Sequence, residues 1–193
     1  MPFTKLGTNA YTPFTDGSSL TTLNASNISS GTLNTSRYVQ GGIQMYDMWR
    51  LTSDLTGNAD PVSSNLERVD TAGQSYVGSA MSVSSGLWTF PSTGIYLISF
   101  NAVHFSSSAD DYVQTEIQAC TDGSNYATAS RGYEGASTGH AYGSALTQTT
   151  LDVTNTTTHK VKFIVAQSNT SNKIRGNTGY NRTTFTFLRL GDT

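Results

Sequence analysis

Few residues in this chain have the types and spacing of reactive chemistry. Gly135-Ala136-Ser137-Thr138-Gly139, followed by His140, has the Gly-x-Ser-x-Gly form of a serine-hydrolase nucleophile turn. That motif works where a strand turns sharply into a helix and lifts the serine to the top of a sheet. Here Gly, Ser, Thr and Tyr flank it and no helical periodicity follows, so it reads as a surface loop. Asp110-Asp111, with Glu116 nearby, offers oxygen ligands of the kind that hold Ca2+. No further acid falls at ligand spacing, so solvated turn residues are the first reading and calcium the second. His104, His140 and His159 lie too far apart for zinc spacing. Cys120, the single cysteine, excludes an intramolecular disulfide and reads as a small buried strand residue. No carboxylate pair stands where a glycosidase would need one. The expectation is no catalytic residue, no cofactor and no enzyme; a glycan-degrading activity is the weakest alternative.

Binding chemistry is better represented. Residues 121–143 hold Tyr126, Arg131, Tyr133, Glu134, His140 and Tyr142 among glycines, and residues 168–182 hold Lys173, Arg175, Tyr180 and Arg182 among asparagines. Read as two loops, they present the side chains of paratopes and sugar sites. Aromatic faces take C–H groups, while amides and guanidinium groups take hydroxyls. The candidate binding residues are Tyr126, Arg131, Tyr133, His140 and Tyr142 in the first loop, and Lys173, Arg175 and Tyr180 in the second. The competing reading packs these tyrosines against neighbouring subunits.

The elements that must carry these residues follow from composition and periodicity. Of 193 residues only 12% are charged, about half the ~25% of an ordinary soluble domain, and Thr, Ser and Asn make up more than a third. A net charge of −2 argues against a nucleic-acid partner, which needs a concentrated basic surface. No apolar run reaches the ~18–20 residues that span a bilayer, so no membrane insertion is expected. The start, Met1-Pro2-Phe3-Thr4-Lys5, lacks the form of a signal peptide.

Two regions are expected: an extended N-terminal arm over 1–40 and a head over 41–193. Within the arm Leu23, Ile28, Leu33 and Tyr38 recur every five residues, a step that makes no stripe on a helix and alternates faces on a strand. Identical arms wound together could bury one apolar residue per layer; a polar leader without structure is the competing reading. In the head the pattern is period two, clearest over 95–105. There Tyr96, Ile98, Phe100 and Ala102 point one way and Ile95, Leu97, Val103 and Phe105 the other. Apolar groups on both faces imply a sandwich strand whose outer face meets another subunit. Further strands are expected over 43–51, 112–120, 145–153, 160–165 and 183–190, with no convincing helix. The fold class is therefore an all-β antiparallel sandwich.

Two resemblances sharpen this. Leu23-Asn24-Ala25-Ser26-Asn27-Ile28-Ser29-Ser30-Gly31-Thr32-Leu33, followed by Arg37, resembles repeats in bacteriophage tail fibres. Gly86-Leu87-Trp88-Thr89-Phe90-Pro91-Ser92-Thr93-Gly94-Ile95-Tyr96-Leu97-Ile98 is similar to the signature of the globular head of complement q subunits, a jelly roll shared with tumour necrosis factors. Arg68-Val69-Asp70 is similar to the strand ahead of that signature, and residues 180–190 to the last strand. Trp88 stands where the signature has Phe.

The resemblance implies a homotrimeric jelly-roll head, in a family whose heads sometimes bind calcium near the apex. It places the chain on a bacteriophage virion, assembled in the host cytoplasm and exposed on the particle surface. The arm would contact other virion proteins and the head would attach to a host-surface glycan or protein. A purely structural trimerisation or decoration protein is the alternative, and a cellular cytokine-like ligand a more distant one.

Overall fold

The computed structural model describes residues 42–106, 110–136 and 141–193, and the side chains of Asp110, Asp111, Ala136 and Ala141 are not among those described. The expected arm therefore lies outside the described residues, as does His140. Among the described residues there are twelve strands and no helix. They run β1 (Tyr46–Leu51), β2 (Leu55–Thr56), β3 (Leu66–Arg68), β4 (Ser82–Ser84), β5 (Leu87–Thr89) and β6 (Gly94–Ser106). There follow β7 (Asp110–Cys120), β8 (Tyr126–Ala136), β9 (Ala141–Val153), β10 (Lys160–Gln167), β11 (Lys173–Ile174) and β12 (Thr184–Gly191).

All pairings are antiparallel, and the strands fall into two sheets. In sheet A the long β6 pairs with β9 along one side and with β12, then β11, along the other; β1 and β3 continue beyond β12, and β2 beyond β11. Sheet B runs β4-β5-β10-β7-β8. Neighbours in each sheet are mostly distant in sequence, the mark of a jelly roll rather than a meander.

Alternation decides what enters the space between the sheets. From β6 come Tyr96, Ile98, Phe100 and Ala102, all fully buried. Val113 and Ile117 of β7, Val161, Phe163 and Val165 of β10, and Phe185 and Phe187 of β12 meet them. Trp88 is the hub: its ring lies 5.1 Å edge-on from Trp49, 5.8 Å from Phe163 and 5.0 Å from Phe187. Aromatic pairs in these geometries add stabilisation beyond the area they bury.

The signature segment behaves as its residues demand. Trp88 points inward at the end of β5, Gly94 takes φ +140, and the Tyr96 hydroxyl donates back to the Ser92 carbonyl at 2.9 Å. A side chain at Gly94 would also run into the Gly191 carbonyl, so both conformation and space require glycine.

Polar groups tie one margin of the core. Asp47 is fully buried and accepts from Arg68 Nε at 2.9 Å, the Met81 amide at 2.8 Å and the Trp49 indole at 3.0 Å. On the opposite face of the same strand, buried Arg50 donates to Glu67 at 2.5 Å, Asp70 at 2.7 Å and Thr71 at 2.8 Å. These buried charges are paired, as burial requires.

One expectation needs correction. Residues 121–143 are not one loop: eleven of them form strand β8, and β9 begins at Ala141. The inward positions of β8 are Ser130, Gly132 and Glu134, so it shows no apolar alternation in sequence. It is an edge strand lying against β9 of the other sheet, where Thr147 Oγ1 donates to Ser130 Oγ at 2.7 Å. A side chain on Gly132 would meet the Leu146 backbone. Small residues are what let the two edges meet. Residues 168–182 are closer to expectation, with only β11 interrupting them.

Candidate functional site

The outer face of sheet B is built by cross-strand register. Gln114, Glu116 and Gln118 are the outward residues of β7, opposite Tyr133, Arg131 and Thr128 of β8 and flanked by Ala166, Ile164 and Lys162 of β10. Thr128 and Arg131 are three apart, which on a regular strand would send them to opposite faces. The register shift between Ile117 and Gln118 leaves Ala129 as the extra residue of a bulge. Tyr126, Thr128, Arg131 and Tyr133 thereby share one face.

Glu116 is the centre of that face. Its side chain is 3% exposed, and its two oxygens accept from Gln118 Nε2 at 2.7 Å, Thr128 Oγ1 at 2.6 Å, Arg131 Nε at 2.8 Å and Gln114 Nε2 at 3.0 Å. Burial alone pushes the carboxyl up. The hydrogen bonds from Arg131, Thr128 and Gln118, with the charge of Arg131, outweigh burial and hold it below the usual carboxylate range. In return, the bond to Glu116 raises the Arg131 guanidinium above its ordinary value. Aromatic rings stand at both ends. Tyr112 and Tyr133, both exposed, meet edge to face at 6.2 Å. At the other end Lys162 Nζ sits 5.3 Å over the Tyr126 ring and pairs with Asp60 at 2.7 Å. Burial pushes the Tyr126 hydroxyl above its ordinary value, with a smaller contribution from Cys120, so it stays a neutral donor.

The sequence-derived candidates divide between separate places. Tyr126, Arg131 and Tyr133 come together here. Tyr142 is on the outer face of sheet A, packed 4.8 Å from Phe105. Lys173 and Arg175 lie at β11, where Arg175 pairs with Asp54 at 2.6 Å. Tyr180 is in the following loop, its hydroxyl accepting from Arg182. Asp110 and Asp111 open strand β7 rather than occupying a turn, and Glu116, expected beside them as an oxygen donor, has both oxygens engaged. Among the described residues no group of three or more His, Cys, Asp or Glu converges to hold a metal ion. Ser137 lies outside the described residues, and strand β9 rather than a helix follows it. His104 is fully buried on β6, and His159 sits beside Thr154 and Thr158. A cleft of about 340 Å³ runs along Arg68, Val69, Asp70 and Tyr76, but Arg68 and Asp70 are already spent on Asp47 and Arg50.

Missed by sequence reasoning were Gln114, Glu116 and Gln118 as a group with Arg131. Their spacing of two, all polar and all long-chained, is a signal for one polar sheet face, but only register shows what lies beside it.

Two antiparallel sheets in this strand order, with the signature turn between β5 and β6, define a tumour-necrosis-factor-like jelly roll. Among solved structures the chain is similar to the Eiger TNF from S. frugiperda, with a TM-score of 0.58 and 10% identity over 79% of this chain and 96% of that one. It is also similar to murine APRIL crystallised at pH 5.0, with a TM-score of 0.55 and 13% identity over 76% of this chain and 98% of that one. No family model matches the chain, and the search of curated proteins found no match.

Proposed function

We propose that the chain is a trimeric attachment protein of a bacteriophage virion, with the jelly-roll head as its host-facing part. The observation that carries the reading is the outer face of sheet A. Ile95, Leu97, Val103 and Phe105 of β6, Leu146 and Tyr142 of β9, and Leu188 and Leu190 of β12 face away from the core. Between them stand Ser99, Asn101, Ser144, Gln148, Thr150, Thr184 and Thr186, and charges lie at the margins: Asp152 at one end, Lys173 and Arg175 beside Phe105 at the other, and Arg50 on β1. A sheet face that is apolar at its centre and charged only at its margins is what the core of a protein interface needs. Further copies of the same chain are the occupants that suit it, closing a ring. Burial there supplies the core area that a chain this polar lacks.

The tail-fibre-like repeat over 23–37 supports the virion assignment and a role for the arm in contacts with other virion proteins. Attachment to a host-surface glycan or protein follows from multivalency: three linked sites gain avidity of ~10²–10⁴-fold without any stronger single contact. Light scattering on the purified chain should give three times its 20.6 kDa mass, and pre-incubating host cells with it should block adsorption of the particle. A trimer that fails to block adsorption leaves the purely structural role; a stable monomer removes the reading altogether.

A further inference from the structure

The charges on the outer face of sheet B cancel in place. Glu116 is paired with Arg131 and Lys162 with Asp60, while Lys160 and Asp122, of opposite sign, both lie toward the Tyr126 end. The polar groups are fixed rather than floppy. Gln114 and Gln118 each spend one amide N–H on Glu116, so both amides are oriented, with their carbonyl oxygens and second N–H groups uncommitted among the described residues. Arg131 spends its Nε on Glu116 and one Nη on Thr128 Oγ1 at 3.4 Å, and its guanidinium is half exposed. Tyr133 stands beside it, 58% exposed. From Tyr126 to Tyr133 the face runs about 20 Å along β8, at ~3.3 Å per residue.

We infer that the outer face of sheet B binds a stretch of neutral polysaccharide, with Tyr133 and Tyr112 stacking on sugar rings and Gln114, Gln118 and Arg131 reading hydroxyls. The inference deepens the attachment reading and rests on it. Oriented amides and a guanidinium complement hydroxyl groups that both donate and accept, and their ordering is already provided by Glu116, so little freedom is lost on binding. A polyanion would find no net positive potential here, because Arg131 and Lys162 each face a carboxylate and Asp122 offsets Lys160 at the Tyr126 end. A protein partner would leave the rigid Gln-Glu-Gln row to be matched across a flat surface with few apolar anchors.

The test uses the full-length chain with soluble dextran, galactomannan and laminarin as neutral probes and alginate as the acidic one, read by affinity electrophoresis and calorimetry. At least one neutral polymer should bind. Arg131→Ala and Tyr133→Ala, both exposed side chains, should each weaken that binding at least tenfold, and Tyr76→Ala, an exposed tyrosine beside Arg68, should not. Circular dichroism on each variant separates lost binding from lost fold. Preference for alginate, unchanged affinity in both variants, or no neutral binding by a chain that still blocks adsorption would each overturn the inference, the last pointing to a protein receptor. A chain that neither binds nor blocks adsorption overturns the attachment reading itself.

Discussion

Glu116 shows how a nearly buried carboxylate is kept ionised on a sheet surface. Its folded-state pKa lies below the unfolded value near 4.5, because hydrogen bonds and the neighbouring guanidinium outweigh burial. A depressed carboxylate contributes stability that is fully present above the unfolded pKa and lost as pH falls through the folded one. Denaturant midpoints should therefore decline below about pH 4.5, and Glu116→Gln should flatten that part of the profile. A variant as acid-sensitive as the parent would show that other groups set the slope. Trp88 makes a different case. Its indole Nε1 is buried without a hydrogen-bond partner among the described residues, so the ring serves through volume and aromatic contact. Trp88→Phe exchanges an orphaned donor for a modest void and should cost about 1–2 kcal/mol, against ~3–5 kcal/mol for Trp88→Ala. Equal losses in urea melts would mean that something particular to the indole, rather than bulk and aromatic contact, is what the core requires.

Strands are legible in proportion to how their buried faces are made. β6 can be read because its inward residues are Tyr96, Ile98, Phe100 and Ala102, and β10 because Val161, Phe163 and Val165 recur at every second position, beginning among lysines. β8 cannot, because Ser130, Gly132 and Glu134 give no period-two apolar signal, and its glycines and tyrosines imitate a recognition loop. The candidate site is half visible for the same reason. Residue type picks out Tyr126, Arg131 and Tyr133, but their shared direction depends on the bulge at Ala129, and their polar companions depend on strand register. The β8 edge also makes a test. Gly132 has no left-handed backbone to excuse it, so its need for glycine is purely the approach of the Leu146 backbone. Gly132→Ala should cost about 1–3 kcal/mol by forcing the two sheet edges apart. Gly191→Ala, where a methyl meets nothing within 4 Å, should be close to neutral. Similar melting curves for the two would remove the close-approach argument.

At the scale of the molecule the outer faces of the two sheets differ in chemistry. Sheet A presents leucine and isoleucine among threonines, and sheet B presents paired charges and amides. Leu97 and Leu188 are cross-strand neighbours in the middle of the apolar face. If the proposed trimer forms through this face, Leu97→Asp should give monomers in light scattering while leaving the β-sheet circular dichroism spectrum in place, since its side chain is not part of the core. A trimer that survives this charge would put the interface elsewhere. Because the two faces point in opposite directions, drawing sheet A toward a shared axis turns every copy of sheet B sideways. Such a knob would meet sugar chains laterally, sunk among them like a peg in bristles, rather than landing end-on upon a flat layer.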